Sequence, residues 1–125
     1  MLVSGDVIQV FDRRTDPRKI KRNICICPRR RLFLRINSKP YWQPHHRLLA
    51  AESRSFLDED SFVELRMLLT FSNSELDEAL RRPGNPLGRL SRDQAKGLAF
   101  AARKAETLTG EQQRLIQDCL TGGLA

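Results

Sequence analysis

Ile20-Lys21-Arg22-Asn23-Ile24-Cys25-Ile26-Cys27 and Leu32-Phe33-Leu34-Arg35-Ile36-Asn37 flank the short polar stretch Pro28-Arg29-Arg30-Arg31. Each flank alternates with the two-residue period of a strand, and the stretch between them is too short and polar for anything but a turn. The pair therefore predicts a β-hairpin. One face of its first strand carries Ile20, Arg22, Ile24 and Ile26, and the other carries Lys21, Asn23, Cys25 and Cys27. The second strand divides into Leu32, Leu34, Ile36 and Phe33, Arg35, Asn37.

Outward from the hairpin, Gly5–Phe11 alternates and predicts a strand, followed by a Pro17-containing loop over Asp12–Arg18. Ser38–His46 holds Pro40 and Pro44 and reads as a constrained loop. A fourth strand is predicted over Arg47–Ala51, a turn at Leu57–Asp60, and a fifth strand over Ser61–Phe71 with Val63, Leu65 and Met67 on one face. Ser74–Leu80 reads as a helical turn or two, and Arg82-Pro83-Gly84-Asn85-Pro86 breaks the chain. Ser91 with Gln94, and Thr109 with Gln112, have the form of capping boxes ahead of helical apolar spacing; Gly122-Gly123 ends the second helix. Strands first and helices last predict an α+β domain, mainly β: a small twisted antiparallel sheet or barrel with helices on one side. Residues 1–125 read as a single domain, 1–71 mostly strands and 72–125 mostly helical, with no internal repeat.

Charge is unevenly placed. Thirteen of the 22 Lys and Arg residues lie between Arg13 and Arg54, opposed there only by Asp16 and Glu52. From Ser55 onward acidic residues outnumber basic ones, eleven to nine. A basic patch on the strand-rich half, rather than a uniformly basic surface, attracts a phosphate backbone. No apolar run approaches the roughly 18 residues of a membrane span. The start Met1-Leu2-Val3-Ser4-Gly5-Asp6 lacks signal-peptide character, which sets a cytoplasmic expectation. Three cysteines argue against a disulfide scaffold. Cys25-x-Cys27 lacks the second pair that a zinc site needs, so the cysteines read as packed free thiols. Asp58-Glu59-Asp60 reads as a solvated turn, because consecutive carboxylates lack the alternating spacing of a calcium loop.

The order of motifs resembles the MazF/PemK toxin family, the ribonucleases of bacterial toxin–antitoxin pairs. The cues are Ser4-Gly5-Asp6-Val7-Ile8, the basic strand entry Lys21-Arg22-Asn23-Ile24-Cys25-Ile26, the strand end Phe33-Leu34-Arg35-Ile36-Asn37-Ser38, Asp60-Ser61-Phe62-Val63-Glu64-Leu65, and Leu87-Gly88-Arg89-Leu90-Ser91. They span most of residues 4–105. The resemblance implies an SH3-like antiparallel barrel with C-terminal helices, usually a homodimer. It also implies cleavage of single-stranded RNA without metal or other cofactor, and a cognate acidic antitoxin as partner. It puts Arg22 and the Asn37-Ser38 pair at the catalytic positions. Asn23 stands in place of the family's proline, and Asn37 in place of its usual threonine.

On the residues themselves, Arg22 offers a planar, permanently charged fork for a charged phosphorane, and it is a poor general base. Ser38 and Asn37 either close a turn or hydrogen-bond the scissile phosphate. Arg35 is either an edge charge or a phosphate ligand. Arg18, Lys19, Lys21 and Lys39 extend the RNA-binding set. Trp42, beside Tyr41, either stacks on unpaired bases or plugs the barrel end. His45 and His46 are the only histidines, natural proton carriers if they reach the RNA and surface residues otherwise. The reading is thus a toxin-type endoribonuclease. The alternatives are a non-catalytic nucleic-acid or protein binding module of the same fold and a CcdB-like gyrase poison, which the ending Gly122-Gly123-Leu124-Ala125 disfavours because it lacks that family's Trp-Gly-Ile.

Overall fold

The hairpin forms the centre of the protein in a computed structural model that describes residues 1–41 and 43–122. Strands β2 (Lys19–Cys27) and β3 (Leu32–Asn37) pair antiparallel, with Arg22 opposite Ile36 and Ile24 opposite Leu34. β1 (Asp6–Asp12) adds beyond β2. The other edge of β3 is shared by β5 (Ser61–Glu64) and β6 (Leu69–Thr70). β4 (His45–Leu48) pairs with β5, and the short β7 (Gly88–Arg89) pairs with the start of β1. The main path runs β4-β5-β3-β2-β1-β7. The fold is α+β: a curled antiparallel half-barrel followed by C-terminal helices.

Both faces of the central strands are covered. Ile24, Ile26, Leu34, Ile36 and Val63 enter one core with Leu98 and Ala102 of α2 (Arg92–Arg103) and Ile116 of α3 (Gly110–Thr121). Ile8, Val10, Cys25 and Phe33 enter a second core on the opposite face, closed by Leu76 and Ala79 of α1 (Asn73–Arg81). Phe33 and Phe71 meet edge to face there, with centroids 5.3 Å apart. The helices therefore occupy both faces; α1 is longer than the expected turn or two and packs opposite α2 and α3. Capping boxes begin all three: Ser72 with Glu75, Ser91 with Gln94, and Thr109 with Gln112.

The segment Ser61–Phe71 is not one strand. Val63 and Leu65 face the first core, while Leu69 and Phe71 face the second. All four have the same parity, so a continuous strand cannot satisfy both cores. The chain breaks between β5 and β6, and Thr107 Oγ1 donates to the freed Leu65 carbonyl at 2.7 Å. Met67 falls in the break and is exposed rather than sharing the face of Val63. The fourth strand comes earlier than expected, at His45–Leu48, and a single 3₁₀ turn follows at Ala50–Glu52.

Two close approaches fix the sheet's far edge. A Cβ on Gly88 would lie 2.3 Å from Ser55 Oγ and 2.9 Å from the Phe56 ring, so only glycine lets β7 reach β1. Past β7, the Asn85 side chain stands in for a strand. Its Oδ1 accepts from the Gln9 N–H at 2.9 Å, and its Nδ2 donates to the Gln9 and Ala79 carbonyls at 2.9 and 2.8 Å. Asn85→Ala strands these backbone groups and should cost about 1–3 kcal/mol, read as a lower urea midpoint with an unchanged m-value.

Candidate nucleic-acid interface

β2 changes character along its length. Asn23–Ile26 is buried, whereas Lys19 and Ile20 are exposed and Lys21 and Arg22 half-buried. The uncovered half meets the end of β3 and the loop after it, and two adjoining concavities open there. The larger, about 450 Å³, is lined by Arg14, Lys19, Lys21, Arg35, Lys39 and Arg66, with Tyr41 at its side. Asp16 is the one carboxylate on its wall. The smaller, about 240 Å³, sits at the mouth of the half-barrel, between Gln9, Arg22 and Ile36 on the sheet and Asp58, Glu59 and Ser61 on the facing turn. Lys19, Lys21, Asn37 and Ser38 border both, so the two form one surface folded over the strand ends.

Buried acids hold the cations in place. The Asp12 carboxylate is fully buried, pairs with the Arg35 guanidinium and accepts the Arg14 N–H at 2.8 Å. Asn37 Nδ2 donates to Glu64 Oε1 at 3.2 Å, and Glu64 is itself buried. Lys21 is held below its ordinary pKa of 10.5, first by burial and then by repulsion from Lys19 and Arg35; Glu64 and Asp12 partly oppose this. Arg22 Nη2 donates to Asp58 Oδ2 at 3.0 Å, while its Nε is buried without a partner. The Ser38 side chain is exposed and makes no hydrogen bond to protein among the described residues, so it does not close a turn on its own backbone.

The anticipated residues divide accordingly. Arg22, Asn37, Ser38, Lys19, Lys21, Arg35 and Lys39 converge on this surface. Arg18 is exposed one residue before β2 and borders neither concavity. His45 and His46 also border neither, because pairing of β4 with β5 carries them away. His45 packs edge to face on Phe62, with centroids 5.1 Å apart, and His46 points toward Gly97 of α2, where burial lowers its pKa. Trp42 lies outside the described residues. Sequence reading missed Arg14, Arg66, Gln9 and the buried acids, which reach the site only through tertiary contact. It also missed that the acidic turn is engaged: Asp58 pairs with Arg22, and Asp60 pairs with Arg47 at 2.7 Å and accepts the Ala50 N–H at 2.9 Å.

The cysteines lie elsewhere. Burial pushes the Cys25 thiol up to about 12. Cys119 of α3 is raised to about 11, by burial first and then by the neighbouring Cys27, with which it shares a hydrogen bond. Among the described residues no group of three or more His, Cys, Asp or Glu side chains is arranged to hold a metal, and no helix is long and apolar enough to cross a membrane. No protein-family model and no curated protein matches the chain.

The lowered pKa of His46 has a checkable consequence. Between its folded value and the ordinary 6.5, the unfolded chain binds a proton that the folded chain does not, so stability falls as pH drops through that window. Asp60, also lowered, loses its contribution only as pH falls below 3.8. Urea midpoints between pH 6.5 and 3.8 should therefore decline in the wild type and decline less in His46→Gln.

Proposed function

We propose that this chain is a cytoplasmic endoribonuclease of the toxin type that binds single-stranded RNA over the open half of β2 and cleaves it without metal. The observation that carries this reading is that Lys19, Lys21, Asn37 and Ser38 join a groove lined by six cations to the smaller cavity that holds Arg22. Cationic grooves track a phosphate backbone, and the exposed ring of Tyr41 beside Lys39 offers a stacking surface for an unpaired base. The motif resemblance to MazF/PemK toxins supplies the reaction class and the expectations of a homodimer and of an acidic antitoxin that competes for the same groove.

In this mechanism the 2′-oxygen attacks the adjacent phosphorus and the bond to the 5′-oxygen breaks, leaving a 2′,3′-cyclic phosphate and a 5′-hydroxyl. The 2′-hydroxyl proton is lost to water, and Lys21 donates to a phosphate oxygen. The leaving oxygen is protonated from water. Arg22 exchanges Asp58 for the phosphorane and holds its charge with a planar fork. Ser38 donates its unengaged hydroxyl to a phosphate oxygen. Asn37, tied to Glu64, orients the strand end.

A second reading is a non-catalytic RNA-binding module. It is favoured by the pairing of Arg22 with Asp58 and by the absence of either histidine from the groove.

Incubation with mixed single-stranded RNA in EDTA separates the two. The nuclease reading predicts cyclic-phosphate products, a loss of at least about 100-fold in Arg22→Ala, and a slower rate in Lys21→Ala. RNA that stays intact yet bound selects the module. In either case binding weakens as salt rises, and Lys19→Ala with Lys39→Ala should lower the log–log salt slope by about 0.7 per lysine removed.

A further inference from the structure

The two concavities share Lys19, Lys21, Asn37 and Ser38 and differ in the rest of their lining. The outer groove adds Arg14, Arg35, Lys39 and Arg66, the lining of a phosphate track. The inner cavity adds an apolar floor, Ile20 and Ile36, the polar Gln9 and Ser61, and a rim where Arg22 faces Asp58 and Glu59. Carboxylates repel a phosphate but accept hydrogen bonds from N–H groups. Ile20 is 44% exposed on a strand otherwise charged at this end, so it presents a bare apolar surface to whatever enters. At about 240 Å³ the cavity falls below the roughly 300 Å³ at which drug-sized pockets begin. A flat ring with donors on one edge matches the apolar floor and the carboxylate rim.

The two carboxylates differ in availability. Asp58 is engaged by Arg22. Glu59 lines the cavity, and its carboxylate has no partner among the described residues. Its backbone carbonyl accepts from Ser61 Oγ at 2.9 Å, which holds the turn against β5. Two parallel acceptor oxygens pair best with two adjacent donors. Guanine presents N1–H and its 2-amino group side by side, whereas the other RNA bases present a single donor group beside acceptors.

We infer that the inner cavity is a nucleobase pocket selective for guanine, read by Glu59, for the nucleotide next to the phosphate seated at Lys21 and Ser38. This rests on the RNA-binding reading of the outer groove and extends it from backbone to base. The cationic track supplies affinity, and the Glu59 carboxylate supplies sequence preference.

The test measures fluorescence anisotropy with short 2′-O-methyl single-stranded RNAs, which the proposed 2′-hydroxyl chemistry cannot cleave. They carry one guanosine in a uridine background, or inosine or adenosine in its place. Inosine differs from guanosine only by the missing amino group. Guanosine should bind roughly tenfold tighter than inosine, the size of one charge-assisted hydrogen bond. Glu59→Gln should bring that ratio close to one while inosine RNA binds at least as well as before. Glu59 is exposed, and far-UV circular dichroism checks that the variant keeps its fold. Equal affinity for all three RNAs in the wild type overturns the base pocket and leaves the RNA groove standing. A guanosine preference unchanged in Glu59→Gln also overturns it, because the base is then read elsewhere. No binding of any RNA overturns the RNA reading, and the pocket with it.

Discussion

A strand can be covered on both faces only where its side chains tolerate burial, and β2 meets that condition for half its length. From Asn23 to Ile26 it is enclosed, with Ile24 and Ile26 against α2 and α3 and Cys25 against the core that α1 closes. From Lys19 to Arg22 it carries three cations in four residues, and burying unpaired charge is prohibitive. The apolar half holds the two cores together, and the basic half leaves the sheet open. The surface proposed to bind RNA is where the covering of β2 stops.

Concentrating like charge on a sheet face is unfavourable unless something compensates it. Asp12 and Glu64 do so from beneath, one pairing with Arg35 and the other anchoring Asn37. Lys21 is held below its ordinary pKa first by burial and then by the repulsion from Lys19 and Arg35 that these acids only partly offset. A polyanion in the groove would relieve that repulsion. On the other side of the same strand ends, Asp58 and Glu59 bring carboxylates against the cations, so two differently lined cavities adjoin across Lys19, Lys21, Asn37 and Ser38.

Much of this was legible in the sequence because the signals are local. The hairpin follows from alternation over Ile20–Asn37, the caps from Ser91 with Gln94 and Thr109 with Gln112, and the patch from the clustering of Arg and Lys. What was hidden depends on partners distant in sequence. The break between β5 and β6 arises because Leu65 and Leu69 belong to different cores. The placement of α1 follows from the apolar outer face of β1 and β3, whose Ile8, Val10 and Phe33 alternate no differently from a one-sided strand. His45 and His46 looked available for chemistry, but pairing with β5 turns them away. Asp12 opens a predicted loop and Glu64 lies inside the predicted fifth strand, and their burial beneath the groove follows only from the register. The neighbourhood of Cys27 and Cys119, 92 positions apart, carries no sequence signal.

The central claim is that the uncovered end of β2 is the nucleic-acid surface. Titrating ¹⁵N-labelled protein with a short single-stranded RNA, and following its amide resonances, tests this directly. The account predicts shifts confined to Lys19–Arg22, Asn37–Tyr41 and the turn at Asp58 and Glu59, with α3 unmoved. Shifts centred on α2 and α3, or none at low salt, would contradict it.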